Sequence, residues 1–115
     1  MERAHLELER ESGSNAQLLV TRLRGKLSLE TVHEFMGTLR PEPATRLVLD
    51  MSGVPYMDSA GVGALVSLFV NRRNNGKSLA LVGLTPQGTA VLQVSVLVQL
   101  LPIFGSVEEA ISQPV

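Results

Sequence analysis

The stretch LVLDMSGVPYMDSAGVGALVSLF, residues 47–69, contains the two elements that decide the fold. It begins in the run RLVLDM, residues 46–51, which is short and continuously apolar at its centre. Such a run predicts a strand covered on both faces, so we expect it near the middle of a sheet. From Ser59 onward apolar residues recur every three or four positions, which predicts a helix that ends at residues 74–76. The intervening loop delivers Asp58 and Ser59 to the start of that helix.

Two further β-rich runs precede this stretch. Residues 5–9 alternate polar and apolar side chains, which predicts a half-exposed strand at the edge of the sheet. Residues 18–23 predict a second strand, and the turn-forming residues between the two runs favour a hairpin. After the hairpin, Ser28 is in position to cap a helix whose apolar positions begin at Leu29 and end at Leu39. Two prolines then end that helix.

Downstream of the central helix, the run SLALVG at residues 78–83 predicts a second buried strand. Thr85 can cap a third helix, and Pro86 fits its first turn, where the backbone amide has no helical partner. The stretch AVLQVSVLVQLLPIF follows, and its pattern fits both a helix and a strand. We expect the third helix to continue to Leu97 and a short strand to form at residues 103–104.

The chain closes with Ser106-Val107-Glu108-Glu109, whose capping-box spacing predicts a last short helix. The order of elements is therefore ββαβαβαβα. This alternation predicts an α/β fold, with a mixed, mostly parallel sheet flanked by about four helices. No internal repeat or linker interrupts the sequence, so we expect residues 1–115 to form a single domain.

The composition argues against several classes of function. The formal net charge is −1 and aromatic residues make up 3% of the chain, which leaves neither a basic face nor stacking rings for nucleic acid. There is no cysteine, and two distant histidines among scattered acids have no spacing for a metal site. The N-terminus is charged, and no apolar run reaches membrane-spanning length. We therefore expect a cytoplasmic protein without metal, nucleic acid or membrane insertion.

Several roles are open to Ser59. A nucleophile elbow needs glycine two places before the serine, where this chain has Met57, and neither His5 nor His33 is positioned as a base. The motif DSAGVG is followed by no lysine, so it offers a generic anion nest rather than a triphosphate-binding loop. The simplest remaining role is structural: either Asp58 or Ser59 caps the helix.

The residues after Ser59 need a further explanation. Gly61 and Gly63 lie early in the helix, where each costs about 1 kcal/mol relative to alanine. Close approach of a partner or an anion is one cause, and tight packing against the sheet is the other. A helix N-terminus can also accommodate a phosphate on Ser59, which would act beside Asp58 as a charge switch against a partner.

The motif at residues 47–69 resembles the core of STAS domains, specifically of the small bacterial anti-sigma factor antagonists. The order of elements also matches, as does the tail GSVEEAI at residues 105–111, so the resemblance covers nearly the whole chain. The residues of the motif that carry it are Leu49, Asp50, Ser52, Gly53, Val54, Asp58, Ser59, Gly61 and Leu65.

The resemblance implies a non-enzymatic regulator without a cofactor. By this resemblance, an anti-sigma factor that is itself an ATP-dependent serine kinase is expected to phosphorylate Ser59, and a phosphatase to reverse this. The unphosphorylated protein is then expected to bind the anti-sigma factor and free the sigma factor. The contact uses the loop before Ser59 and the exposed positions of the helix after it, with Tyr56 and Met57 either as apolar anchors or in the core. The implied contact residues are Pro55, Tyr56, Met57, Asp58, Ser59, Ala60, Gly61 and Gly63, and the acids that shape the site are Asp50 and Asp58.

The chain departs from the family pattern in two places. Ser28 stands where the family often has an acid close to the phosphorylation site, and the stretch VSVLVQLLPIF lacks the glycine that commonly ends the third helix. A second function also fits the resemblance. In it the chain is a STAS scaffold subunit of a lipid-transport ATPase or of a stress-sensing complex, and Ser59 is not phosphorylated.

Overall fold

The computed structural model describes residues 5–11, 13–95 and 99–112, and within them five strands and four helices follow the order ββαβαβαβα. The strands are β1 (Leu6–Arg10), β2 (Leu18–Gly25), β3 (Arg46–Gly53), β4 (Ser78–Val82) and β5 (Ile103–Phe104). The helices are α1 (Val32–Leu39), α2 (Ser59–Asn74), α3 (Pro86–Gln93) and α4 (Val107–Ser112).

One sheet holds the strands in the order β1-β2-β3-β4-β5. β1 pairs antiparallel with β2, and the other neighbours pair in parallel. The predicted α/β fold, with its mixed and mostly parallel sheet, is therefore confirmed. β3 is the central strand and β1 an edge strand, as their sequence patterns indicate. Because β2, β3 and β4 run in one direction, the loops that follow them open at the same edge of the sheet.

The sheet is covered on both faces. On one face Leu47 and Leu49 of β3 pack in a core with α1, α2 and α3, and on the other Val48 packs with Ala110 of α4. Neighbouring residues of β3 thus face opposite cores, which explains why its sequence is apolar without interruption. Within the described ranges, no helix is both long enough and apolar enough to span a membrane.

The start of α1 differs from the sequence prediction. α1 begins at Val32 rather than directly after Ser28, and Leu29 lies in the preceding turn with 74% of its surface exposed. The Thr31 hydroxyl accepts a hydrogen bond from the Ser28 amide at 3.1 Å and donates one to the Lys26 carbonyl at 2.7 Å. These side-chain contacts close a local turn, which replaces the first helical turn.

The end of α3 also differs. α3 stops at Gln93, short of the expected end at Leu97, which itself lies outside the described residues. Val94 closes the helix through its amide, which donates to the Leu92 carbonyl, and the Val94 side chain faces solvent. An exposed apolar residue has no packing to support a further turn. The short strand predicted at residues 103–104 is confirmed as β5.

Candidate functional site

Asp58 caps α2 and joins two loops. Its backbone is extended, and its Oδ1 accepts a hydrogen bond from the Gly61 amide at 2.9 Å. Its Oδ2 accepts from the Leu29 amide at 3.2 Å, so the carboxylate connects the start of α2 to the loop after β2. The sequence left the cap open between Asp58 and Ser59, and the structure assigns it to Asp58.

Ser59 is the first residue of α2 and is exposed. Because Asp58 fills the capping position, the Ser59 hydroxyl is not needed to close the helix. Its oxygen makes no hydrogen bond to the rest of the described chain. The idea that Ser59 itself caps the helix in the unmodified state is therefore wrong. The hydroxyl is available to a reagent or a partner without loss of a structural contact.

The loop after β2 packs directly beside this site. Leu27 forms a parallel bridge with Met57, its amide donates to the Tyr56 carbonyl at 3.0 Å, and its carbonyl accepts from the Asp58 amide at 3.3 Å. Ser28 follows in this loop and is buried. The loop after β2 thus lies against the site, and Asp58 is the carboxylate that contacts both segments.

Tyr56 and Met57 have different environments. Tyr56 is 45% exposed, whereas Met57 is 1% exposed and belongs to the core beneath α2. Gln87 of α3 holds Met57 in place, since its side-chain amide donates to the Met57 carbonyl and accepts from the Met57 amide, each at 2.8 Å. Met57 is therefore a core residue and not a surface anchor. Gln87 was not found from the sequence, because no local pattern marks a contact 30 residues away.

Glycine occurs at positions 61 and 63 of α2 for different reasons. A Cβ on Gly61 would collide with the Leu27 carbonyl oxygen and would lie 2.8 Å from the Met57 side chain. A Cβ on Gly63 would meet nothing within 4 Å, and Gly63 is exposed. Tight packing thus explains Gly61. Tight packing does not explain Gly63, so close approach of a partner or an anion is the remaining explanation for a glycine at this position.

Two grooves adjoin this end of α2, and Gly63 lies between them. A groove of about 290 Å³ separates α2 from α3, and Ser59 lines it together with Val62, Val91 and Val94. A second groove, of about 390 Å³, separates α2 from α1. It is lined by Val32, His33, Met36, Ala60, Gly63, Ala64 and Ser67. The start of α2 therefore forms a ridge between the two grooves, and this ridge consists of small residues such as Ser59, Ala60 and Gly63.

The remaining residues implied by the resemblance are only partly brought together. Pro55 is exposed in the loop before α2, and Ala60 is partly buried in its first turn. Asp50 lies on β3, where its Oδ1 accepts from the Ser52 amide at 3.0 Å and lies close to Gly83. Within the described ranges, no hydrogen bond joins Asp50 to Ser59. Asp50 therefore acts within the carboxyl-terminal part of β3, and Asp58 is the acid next to the hydroxyl.

The family of the chain follows from its match over most of the sequence. The STAS domain model matches residues 7–110. The chain belongs to the STAS domain family. The loop before Ser59 and the first turn of α2 lie within the matched range, so the candidate site is part of this STAS domain.

Solved structures share the fold of this STAS domain. An anti-sigma factor antagonist from Mycobacterium paratuberculosis superposes with a TM-score of 0.78 at 16% identity, over 94% of this chain and 92% of that one. Unphosphorylated Bacillus SpoIIAA, also an anti-sigma factor antagonist, has a TM-score of 0.73 at 22% identity, over 91% and 93% of the two chains. The murine anion transporter Slc26a9 has a TM-score of 0.72 at 19% identity, over 94% of this chain but 22% of that one. The same fold thus occurs in small antagonists and within a transporter.

The opposite end of α2 in this STAS domain is held by a buried arginine. Arg72 is 1% exposed, and its guanidinium donates to the carbonyls of Glu42, Ala44 and Ser78 at 3.3, 2.6 and 2.8 Å. Burial lowers the pKa of Arg72, and the Glu42 carboxylate acts in the opposite direction, but an arginine remains charged in proteins. In the sequence Arg72 is indistinguishable from its exposed neighbour Arg73, so this anchor was not predicted.

Proposed function

We propose that this protein is an anti-sigma factor antagonist that acts by binding and is switched off by phosphorylation of Ser59. Its partner is an anti-sigma factor that is also an ATP-dependent serine kinase, and a phosphatase acting on phospho-Ser59 restores binding. The observation that carries the proposal is the Ser59 hydroxyl, which is exposed at a helix start whose cap is already filled by Asp58. In this proposal residues 1–115 act as one cytoplasmic unit, without catalysis, cofactor or metal.

The helix start supports a phosphate without loss of the fold. A phosphoserine carries about −1.5 to −2 charges at neutral pH. Amides in the first turn of a helix, together with the positive end of its dipole, favour an anion at this position. The Asp58 cap and the bond to Leu29 involve other atoms, so both contacts can persist in the phosphorylated protein.

The same charge would disrupt a partner interface. Asp58 already brings a carboxylate to this surface, and a phosphate beside it adds like charge where the unmodified protein presents a neutral hydroxyl. Gly63 lies one helical turn after Ser59, with no side chain to keep a partner at a distance. The proposed contact surface therefore consists of the exposed residues Pro55, Tyr56, Ser59 and Gly63, with Met57 and Gly61 supporting it from below.

The decisive experiment combines the protein with candidate kinase-type anti-sigma factors and ATP. We expect intact-mass measurement to show one added phosphate, and peptide mapping to assign it to Ser59. Ser67 provides a matched control, because it is an exposed serine of the same helix: Ser67→Ala should still be phosphorylated and Ser59→Ala should not. A protein that never gains a phosphate, or gains it at another residue, contradicts the proposal.

A second candidate is a STAS scaffold that is not phosphorylated, in a lipid-transport ATPase or a stress-sensing complex. The likeness to Slc26a9 favours it, because there the fold is part of a much longer transporter chain. This candidate predicts co-purification with transporter or scaffold subunits, and full activity of Ser59→Ala in the cell. The antagonist proposal predicts instead that Ser59→Ala binds its partner permanently and that Ser59→Asp binds it weakly.

A further inference from the structure

An exposed leucine lies on a loop whose backbone is bonded to Asp58, the residue before Ser59. Leu29 is 74% exposed, although its amide is bonded to Asp58 Oδ2 at 3.2 Å. Thr31 closes the loop through its bonds to Lys26 and Ser28, and Leu27 ties it to the segment before α2. The leucine side chain is therefore presented to solvent by a backbone with many contacts.

Two more apolar side chains lie exposed near the start of α2. Tyr56 is 45% exposed, and its carbonyl accepts the amide of Leu27, two residues before Leu29. Val94 is 87% exposed and adjoins the groove that Ser59 lines. Three of the six large hydrophobic residues that are exposed within the described ranges thus belong to segments that contact or line the start of α2. Single exposed apolar residues are ordinary, but a group of them round one hydroxyl indicates a contact surface.

We propose that Leu29, Tyr56 and Val94 form an apolar rim round Ser59 on which the kinase-type partner docks, with Leu29 as its principal anchor. The inference rests on the proposed function and names the chemistry of the partner: a serine kinase with an apolar pocket within reach of its bound nucleotide. Leu29 is bonded through its backbone to the residue next to Ser59, so docking of its side chain also positions the hydroxyl.

The rim also gives a reason for the effect of phosphorylation. A neutral hydroxyl inside an apolar contact loses little hydration when the partner docks. A phosphate at the same place would have to give up its water without gaining a counter-charge from the rim, since none of the three rim side chains carries a positive charge. The unphosphorylated form is then the one that binds.

The test measures the dissociation constant of the partner for the wild type and for three variants, without ATP. Leu29→Ala should weaken binding at least about tenfold, as truncation of an interface anchor does. Leu29→Met keeps an apolar side chain of similar volume and should stay within about threefold of the wild type. Ile103→Ala is the matched control, because Ile103 is a partly exposed residue of the edge strand β5 and should leave binding unchanged.

Phosphorylation kinetics and thermal unfolding complete the test. For Leu29→Ala we expect a higher KM for phosphorylation of Ser59 with kcat unchanged, because the leucine positions the partner and takes no part in phosphoryl transfer. Its melting temperature should equal that of the wild type.

Three outcomes would contradict these expectations. Weaker binding accompanied by a lower melting temperature would mean that Leu29 stabilises the fold, and would overturn the proposed rim. Binding as tight as that of the wild type, with Ser59 still phosphorylated, would also overturn the rim but leave the proposed function intact. Failure of the wild type to bind or to be phosphorylated would instead remove the proposed function.

Discussion

The two ends of α2 are built in opposite ways. At its start the helix has an exposed serine, a glycine with free space where a side chain would lie, and grooves on both sides. At its end it has Arg72, which is fully buried and bonded to three backbone carbonyls. A helix can therefore present a surface that is open to modification when buried hydrogen bonds at its other end hold it to the rest of the fold. A charge added at Ser59 then changes the surface without displacing the helix.

The anchored end can be broken by Arg72→Met, for which we expect the largest loss of stability. The substitution removes the guanidinium donor from three backbone carbonyls, of which that of Glu42 has a second side-chain donor, Lys77. Hydrogen bonds to a charged group contribute about 1.5–3 kcal/mol each. The free energy of unfolding should fall by about 3 kcal/mol or more, measured by urea denaturation. Arg73→Met is the control: Arg73 is exposed, and an equal loss in that variant would contradict the anchoring role.

At the exposed start of α2, Gly61 is the residue at which the helix packs against the loop after β2. Gly61→Ala should lower the free energy of unfolding by about 1–3 kcal/mol, because the new methyl group collides with the Leu27 carbonyl and crowds Met57. Thermal or urea unfolding measures the change. A stability equal to that of the wild type would mean that the loop after β2 moves away freely and is not fixed against α2.

Of the three substitutions, Gly63→Ala should change the free energy of unfolding least. Its methyl group meets nothing, so the gain in helix propensity should raise the free energy of unfolding by about 1 kcal/mol. If a partner approaches the backbone here, the same variant should bind that partner more weakly, as titration calorimetry would show. Stability and binding then move in opposite directions, and unchanged binding would remove Gly63 from the proposed contact surface.

Much of the fold was predictable because its signals are local. The uninterrupted apolar run of β3 and the helical spacing after Ser59 each depend on residues within a few positions, and both predictions are confirmed. The start of α1 was predicted wrongly at Ser28, because the sequence does not reveal that the Thr31 hydroxyl closes a turn there. The end of α3 was predicted too late, because a valine-rich run is compatible with either element until its exposure is known.

The candidate site was predictable in position but not in detail. A strand, a short loop and a helix start bring Asp58 and Ser59 to the carboxyl edge of the sheet whatever the rest of the chain does. The burial of Met57 depends on Gln87, 30 residues further along the chain, and the exposed Leu29 is held by Asp58, 29 residues away. Neither contact can be predicted from the pattern of neighbouring residues in the sequence.

Side-chain periodicity and short-range backbone chemistry are enough to predict the order of the elements, the central place of β3 and the position of Ser59 at a helix start. Contacts between distant segments were needed to show that Asp58 bonds both the first turn of α2 and a second loop, that Gly61 is packed while Gly63 is open, and that Arg72 is buried. Those outcomes depend on where distant backbone oxygens and amides lie in space. That information arises only when the sheet and its helices have assembled.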